Sequence, residues 1–123
     1  MRTELAPDAI LVLPAGRELD AIVAEKVMGM RVLRHADGSI SEGGQGNERV
    51  RRDAKIPMYS TSIAAAWEVV EKLLSGGRSI VMTCGIDSLP TFFVRIGDDP
   101  GEFVAENTAP LAICRAALKA VMG

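Results

Sequence analysis

Apolar residues recur every three or four positions in the segment 17–29, at Leu19, Ile22, Val23 and Val27. This spacing places them along one face of an α-helix. Gly29 follows at the position where a C-terminal cap belongs. The pattern therefore predicts a first helix over residues 17–29 with one buried face.

A second helical segment runs from about Ser62 to Leu74 and follows three consecutive hydroxyl residues, 60–62. Any of these hydroxyls can accept from the free N–H groups at the helix N-terminus. The apolar positions of the segment share one stripe, which comprises Ile63, Ala66, Trp67, Val70 and Leu74. A third helix is predicted to open at Asn107-Thr108-Ala109-Pro110, with its buried stripe at Leu111, Cys114, Leu118 and Val121.

Short segments rich in β-branched and aromatic residues lie between the last two helices, at residues 79–84 and 91–96. Their glycine and proline boundaries are typical of strands in a hairpin or meander. Residues 102–105 predict a third strand, and residues 31–34 a further short one. The order of elements predicts an α+β fold in which about three helices cover a small antiparallel sheet.

Residues 36–56 lack this periodicity and contain four glycines, so they are predicted to form a long Gly-rich loop. Loops of more than about 15 residues in compact domains are usually functional or disordered. The chain has 123 residues, which is enough for one domain over residues 1–123 and too few for a second catalytic domain.

Composition narrows the possible functions. The chain is 48% hydrophobic and 24% charged, which indicates a folded globular protein. Its net charge of -2 and 4% aromatic content argue against general nucleic acid binding. Two cysteines and one histidine predict neither a disulfide framework nor a metal centre, and favour the cytoplasm. The apolar patch at residues 9–13 is flanked by charges, so no signal peptide or membrane span is expected.

Three segments carry a resemblance to a known family: RELDAIVAEKVMG at residues 17–29, YSTSIAAAWEVVEKL at residues 59–73 and TAPLAICRAAL at residues 108–118. Their order and spacing resemble the phage ABA sandwich domain family of small phage and prophage proteins. The resemblance implies an α/β/α sandwich and a phage origin, and it implies no activity. Ser62 stands where the family usually has Asp, and both residues can cap a helix.

Catalytic chemistry finds little support in the sequence. His35 is the only imidazole and lies beside a predicted turn, where a solvated side chain is the ordinary outcome. Cys84 and Cys114 are both predicted to lie in the core, as free cysteines commonly do. The segment Gly43-Gly44-Gln45-Gly46 lacks the flanking residues of a phosphate-binding loop. We expect a protein that is not an enzyme and that needs no cofactor or metal.

A basic segment before the second helix is the stronger candidate site. Arginines, a helix N-terminus and hydroxyls can together bind a phosphate, while aromatic rings contact a base. The residues predicted to bind such a ligand are Arg49, Arg51, Arg52, Tyr59, Ser60, Thr61, Phe92, Arg95, Asn107, Thr108 and Arg115. The alternative is that the hydroxyls only cap helices and the arginines line a solvated loop.

Three functional hypotheses follow. The first is a non-enzymatic phage protein that binds a small anionic nucleotide-like ligand, such as a cyclic nucleotide or cyclic ADP-ribose immune signal, and sequesters it against host defence. The second is an interaction module that binds a host or phage protein through its helical face. The third, an enzyme of nucleotide metabolism or phosphodiester cleavage, lacks a catalytic constellation. In each case a homo-oligomer is expected, because a chain of this size buries a modest core.

Overall fold

The computed structural model describes residues 13–34, 36, 40–42, 56–97 and 103–122. Three α-helices lie in these segments: α1 (Arg17–Lys26), α2 (Ile63–Ser75) and α3 (Ala109–Met122). Five strands accompany them: β1 (Val32–Arg34), β2 (Ile40–Glu42), β3 (Ile80–Asp87), β4 (Leu89–Ile96) and β5 (Val104–Glu106). The predicted α+β class, with three helices and a small antiparallel sheet, is confirmed.

The strands form two antiparallel sheets. One sheet has three strands in the order β3-β4-β5, and the other pairs β1 with β2. β3 and β4 form a tight hairpin in which Asp87 pairs with Leu89 around Ser88. Ser88 has a φ of 50°, in the left-handed region that tight turns use. Val94 pairs with Val104 of β5, which fixes the register at the other side of β4.

Helix α3 lies at the centre of the molecule, where it contacts β4, β5, α1 and α2. Its buried alanines, Ala112, Ala116 and Ala117, carry little side-chain volume, so neighbouring elements can approach closely. Ile113, Cys114 and Leu118 are fully buried beside them and pack with Val94 of β4. The core therefore lies between the helices and one face of the three-stranded sheet.

Helix α1 has the buried face that its sequence predicts. Leu19, Ile22, Val23 and Val27 all belong to the core. The helix ends at Lys26, and Gly29 then adopts a φ of +73° while Met30 N–H donates to the Ala24 carbonyl at 2.8 Å. Glycine suits this position because its missing Cβ removes the penalty for positive φ.

The structure corrects several expectations from the sequence. Strand β2 lies inside the segment that was predicted to be loop throughout, and it pairs with β1. Strands β3 and β4 are longer than predicted and meet at Ser88, because the pairing continues through Gly85 and Pro90. Cys84 was expected in the core but is exposed on β3, whereas Cys114 is buried as predicted. His35 and the turn that the sequence predicts beside it, at Asp37-Gly38, lie outside the described residues.

Candidate functional site

An exposed apolar stripe runs along helix α2. Ile63, Trp67 and Leu74 are 53%, 51% and 52% exposed, and Met58, just before the helix, is 62% exposed. Successive helical residues are rotated by about 100°, so the three helical members fall within roughly 40° of one another. We call these four residues the α2 stripe.

The α2 stripe exists because the apolar arc of this helix is wider than the surface that α3 covers. Ala66, Val69, Val70 and Leu73 face the core and are buried, and Ile63 and Trp67 continue the arc beyond them. The sequence pattern placed Ile63, Ala66, Trp67, Val70 and Leu74 on one stripe. The structure divides that set, because only Ala66 and Val70 of these five residues are buried.

An acidic side chain borders the stripe on the side away from the core. Glu71 is exposed and lies one turn after Trp67, whereas the exposed Glu68 lies farther around the helix, beside Lys72. Lys72 is exposed farther around the helix, on the side opposite the stripe. The stripe therefore combines apolar surface, one indole ring and a flanking negative charge.

Two of the predicted ligand contacts lie in the interior. Ser60 is 0% exposed, and its hydroxyl donates to Asp20 Oδ1 at 2.5 Å and accepts from Gly16 N–H at 2.9 Å. Tyr59 is 1% exposed and its hydroxyl donates to the Met30 sulfur at 3.6 Å. Both side chains connect the segment before α2 to the region of α1.

The remaining hydroxyls at the start of α2 have different roles. Ser62 is the N-cap, and its hydroxyl accepts from Ala65 N–H at 3.4 Å. Thr61 is exposed beside it. Of the three hydroxyl residues 60–62, Thr61 alone presents an exposed side chain next to the helix N-terminus.

Around the start of α3, the residues that were predicted to bind a ligand make hydrogen bonds within the protein. Asn107 donates its side-chain N–H to the Pro90 carbonyl at 2.9 Å. Arg115 forms a part-buried ion pair with Glu106 at 2.5 Å, and its second terminal nitrogen donates to the Leu13 carbonyl at 2.5 Å. Thr108 accepts from Ala112 N–H through its carbonyl at 3.1 Å, as the first turn of α3 requires.

The side chains of Phe92 and Arg95, both on β4, lie on opposite faces of the three-stranded sheet. Phe92 packs against the core on the face that α3 covers, together with Val94. Arg95 is three residues later, so strand alternation places it on the opposite face. There its guanidinium lies 5.0 Å from the centre of the Phe103 ring. The structure thus does not bring these two residues together on one surface, and Arg49, Arg51 and Arg52 lie outside the described residues.

Two ionisable groups, the Cys114 thiol and the Arg34 guanidinium, have pKa values above their ordinary values. Burial raises the pKa of the Cys114 thiol to about 12, and the charge of Asp20 adds to the effect. Burial lowers the pKa of Arg34, but bonds and charge from Glu25 and Glu18 outweigh it, so the pKa lies above its ordinary value. These carboxylates lie 3.1 Å and 3.4 Å from Arg34 and tie β1 to α1.

In the described part of the chain, no group of three or more His, Cys, Asp or Glu side chains is placed to hold a metal ion. None of the helices in that part is both long enough and apolar enough to cross a membrane.

Comparison with known protein families tests the family resemblance that the three helical segments carry. The model of the phage ABA sandwich domain matches residues 21–118, which include all three helical segments in whole or in part. The chain belongs to the phage ABA sandwich domain family. The resemblance carried by the segments 17–29, 59–73 and 108–118 is therefore confirmed.

A solved structure of similar fold comes from a phage protein of Bacillus cereus ATCC 14579, determined by crystallography at 2.0 Å. It shares 26% sequence identity with this phage ABA sandwich protein, with a TM-score of 0.59. The similarity covers 87% of this chain and 91% of the other. Among curated proteins, none matches the chain. The comparisons thus establish a phage protein domain and point to no catalytic family.

The sequence interpretation missed the α2 stripe, although its signal was present. Ile63, Trp67 and Leu74 are apolar and in helical phase with the buried positions. A wide apolar arc predicts burial, and only the packing of α3 shows which part of that arc remains uncovered.

Proposed function

We propose that this phage ABA sandwich protein is a non-enzymatic binding protein that holds another protein through the α2 stripe. The partner is a host or phage protein whose contact surface is apolar and carries a basic side chain opposite Glu71. The observation that carries the proposal is the half-exposed Trp67, the only tryptophan of the chain. A tryptophan contributes to the core when buried, and on a surface it is one of the residues most enriched in binding hot spots.

The surroundings of Trp67 support this role. Ile63 and Leu74 flank it along the helix, and Met58 is exposed in the segment before the helix start. A contiguous apolar patch with a polar border is the usual organisation of a protein interface. The acidic border selects a partner of opposite charge, since like charges across an interface disfavour association.

The test is affinity capture from infected cells with three forms of the protein: wild type, Trp67→Ala and Lys72→Ala. Lys72 lies on the same helix and is exposed, but it lies outside the stripe. We expect a stoichiometric protein partner with wild type and Lys72→Ala, and a loss of affinity of about 30-fold or more with Trp67→Ala. With the purified partner, Glu71→Lys should weaken binding in a salt-dependent manner.

Equal recovery of the partner by Trp67→Ala would contradict the proposal, provided that the variant keeps the helical circular dichroism of wild type. Trp67→Ala converting an oligomer into a monomer in light scattering would also overturn it, because a second copy would then occupy the stripe.

A small anionic nucleotide-like ligand is the second candidate, and Arg95 supports it. Its Nε is buried and has no hydrogen-bond partner among the described residues, while its guanidinium lies over Phe103. A guanidinium beside an aromatic ring can bond a phosphate and stack a base at the same place. In this proposal the segment with Arg49, Arg51 and Arg52 supplies further positive charge, and sequestration of an immune signal counters host defence.

Calorimetry with a panel of cyclic nucleotides and cyclic ADP-ribose isomers tests the second candidate. We expect heat of binding from one member of the panel and its loss in Arg95→Met. Mass spectrometry of small molecules released on denaturation of the purified protein should identify the same compound. If no member of the panel gives heat of binding and no small molecule is released on denaturation, the ligand hypothesis is wrong.

A further inference from the structure

Strand β3 is a long edge strand with little cover. Its eight residues pair with β4 on one side, and among the strands that the structure describes none pairs with the other side. The six residues 81–86 are all exposed, which means that both faces of the strand meet solvent. The opposite edge of the sheet, β5, is only three residues long. Short edges resist pairing with another chain, and long exposed ones invite it.

The hydrogen bonding of β3 shows which residues face the free side. Gly97 N–H donates to the Ser79 carbonyl at 2.8 Å, and the register continues without a bulge from Ile80 to Asp87. In an antiparallel pair the main-chain groups of alternate residues point toward the partner strand. Odd-numbered residues of β3 therefore point toward β4. The N–H and C=O groups of Ile80, Met82, Cys84 and Ile86 point outward.

The free side lacks the features that usually block strand pairing. Residues 80–86 contain no lysine, arginine, proline or acidic residue, and Asp87 stands at the end of the strand. Natural sheets commonly protect an edge with charges, proline or a bulge. The outward side of β3 therefore carries none of the features that would oppose pairing with another strand.

We propose that β3 pairs in antiparallel fashion with β3 of a second copy of this chain, about a two-fold axis at Thr83. With the axis perpendicular to the sheet, residues that meet across it have numbers of the same parity, because alternate side chains must share a face. Centred on Thr83, Ile80 meets Ile86 of the second copy and Met82 meets Cys84. Each of these residues then donates one hydrogen bond and accepts one.

Neighbouring registers pair fewer of the outward-facing residues of β3 within the strand. Centring the axis on Met82 places Ile86 opposite Arg78, outside the strand, and centring it on Cys84 places Ile80 opposite the turn residue Ser88. Only the Thr83 register pairs all four outward-facing residues within the strand. It also places no like charges opposite each other, since Thr83 meets Thr83 and Val81 meets Gly85.

The result is a closed dimer with one continuous sheet of six strands, in the order β5-β4-β3 followed by the same strands reversed. A two-fold contact of this kind uses the same patch on both copies and ends at two chains. Both sets of helices lie on the same face of the joined sheet. The exposed Met82, Cys84 and Ile86 side chains of both copies then adjoin in the space between the two helical layers.

A cysteine at the two-fold position tests the register. In Thr83→Cys with Cys84→Ser, the two new thiols form a non-hydrogen-bonded pair, whose spacing permits a disulfide. The matched control is Val81→Cys with Cys84→Ser, since Val81 is exposed on the same face but meets Gly85 of the second copy. Under mild oxidation we expect covalent dimer from the first protein and at least about tenfold less from the second. Equal cross-linking of the two proteins would overturn the register.

Light scattering tests the dimer itself. Wild type should be dimeric at micromolar concentration, and Met82→Pro should be monomeric. Proline is tolerated on an edge strand where its missing N–H faces outward, as that of Met82 does, so the β3–β4 ladder remains intact. Trp67→Ala should stay dimeric, which separates this contact from the α2 stripe. A monomeric wild type at high micromolar concentration, or dimeric Met82→Pro with a native circular dichroism spectrum, would contradict the proposal.

Discussion

The hydroxyl of Ser60 and the carboxylate of Asp20 form a buried contact that joins two parts of the chain 40 residues apart. Asp20 Oδ1 accepts from the Ser60 hydroxyl at 2.5 Å and from Ser60 N–H at 2.7 Å. The same hydroxyl accepts from Gly16 N–H, just before α1. A buried carboxylate needs such donors, because its desolvation is otherwise unfavourable. The contact fixes the chain before α2 against α1.

We predict that Ser60→Ala destabilises the fold. The substitution removes one donor to Asp20 and the acceptor for Gly16, so buried polar groups lose their partners. This should lower the free energy of unfolding by about 1–3 kcal/mol, measured by urea denaturation. The matched control is the exposed neighbour, where Thr61→Ala should change stability by no more than about 0.5 kcal/mol. Similar effects of the two substitutions would argue against a structural role for the Ser60 hydroxyl.

Substitutions of the two adjacent leucines on α2 should lower the free energy of unfolding by very different amounts. Leu73 is 4% exposed and lies in the core, whereas Leu74 is 52% exposed in the α2 stripe. Leu73→Ala should lower the free energy of unfolding by about 2–5 kcal/mol, because it leaves a cavity. Leu74→Ala should cost about 0.5 kcal/mol or less in the isolated subunit. A large cost at Leu74 that depends on protein concentration would show that a second copy covers the stripe.

Stability should decline in alkaline solution through Cys114. Burial and the charge of Asp20 raise the pKa of its thiol from 9.0 to about 12, so the folded state holds the proton more tightly than the unfolded state. This contribution is fully present below pH 9 and is lost as the pH rises toward 12. The decline should reach at most about 1.4 kcal/mol per pH unit.

Urea denaturation between pH 8 and pH 11 measures this effect, and Cys114→Ala serves as its control. The substitution lowers stability at every pH, since it removes a buried sulfur, but it should flatten the alkaline slope relative to wild type. Parallel slopes for the two proteins would show that the thiol does not titrate differently in the folded state.

Much of the architecture could be predicted from local pattern. The apolar spacing of α1 identified the face that is buried, and the β-branched segments identified the strands of the hairpin. Strand β2 was not predicted, because a segment of three residues near several glycines shows no periodicity and its position depends on pairing with β1. Cys84 was misplaced because a strand pattern does not show whether a helix covers that strand.

The candidate sites were less predictable. The hydroxyl of Ser60 and that of Ser62 are chemically equivalent in the sequence, yet one is buried against Asp20 and the other caps α2. Likewise Arg115 resembles a free cation in the sequence until Glu106 and the Leu13 carbonyl are found beside it. Contacts between distant segments decide which polar groups are available to a ligand.

The sequence by itself determined the helices, most of the strands and the family, because periodicity, caps and turns are local properties of the chain. Only the tertiary structure decided which apolar surface stays uncovered. The packing of the elements buries Leu73 and leaves the adjacent Leu74 exposed, and no helix in the described part contacts β3 closely. The α2 stripe and the free edge of β3 arise from this limited coverage, since the area that packing leaves exposed depends on how all the elements fit together.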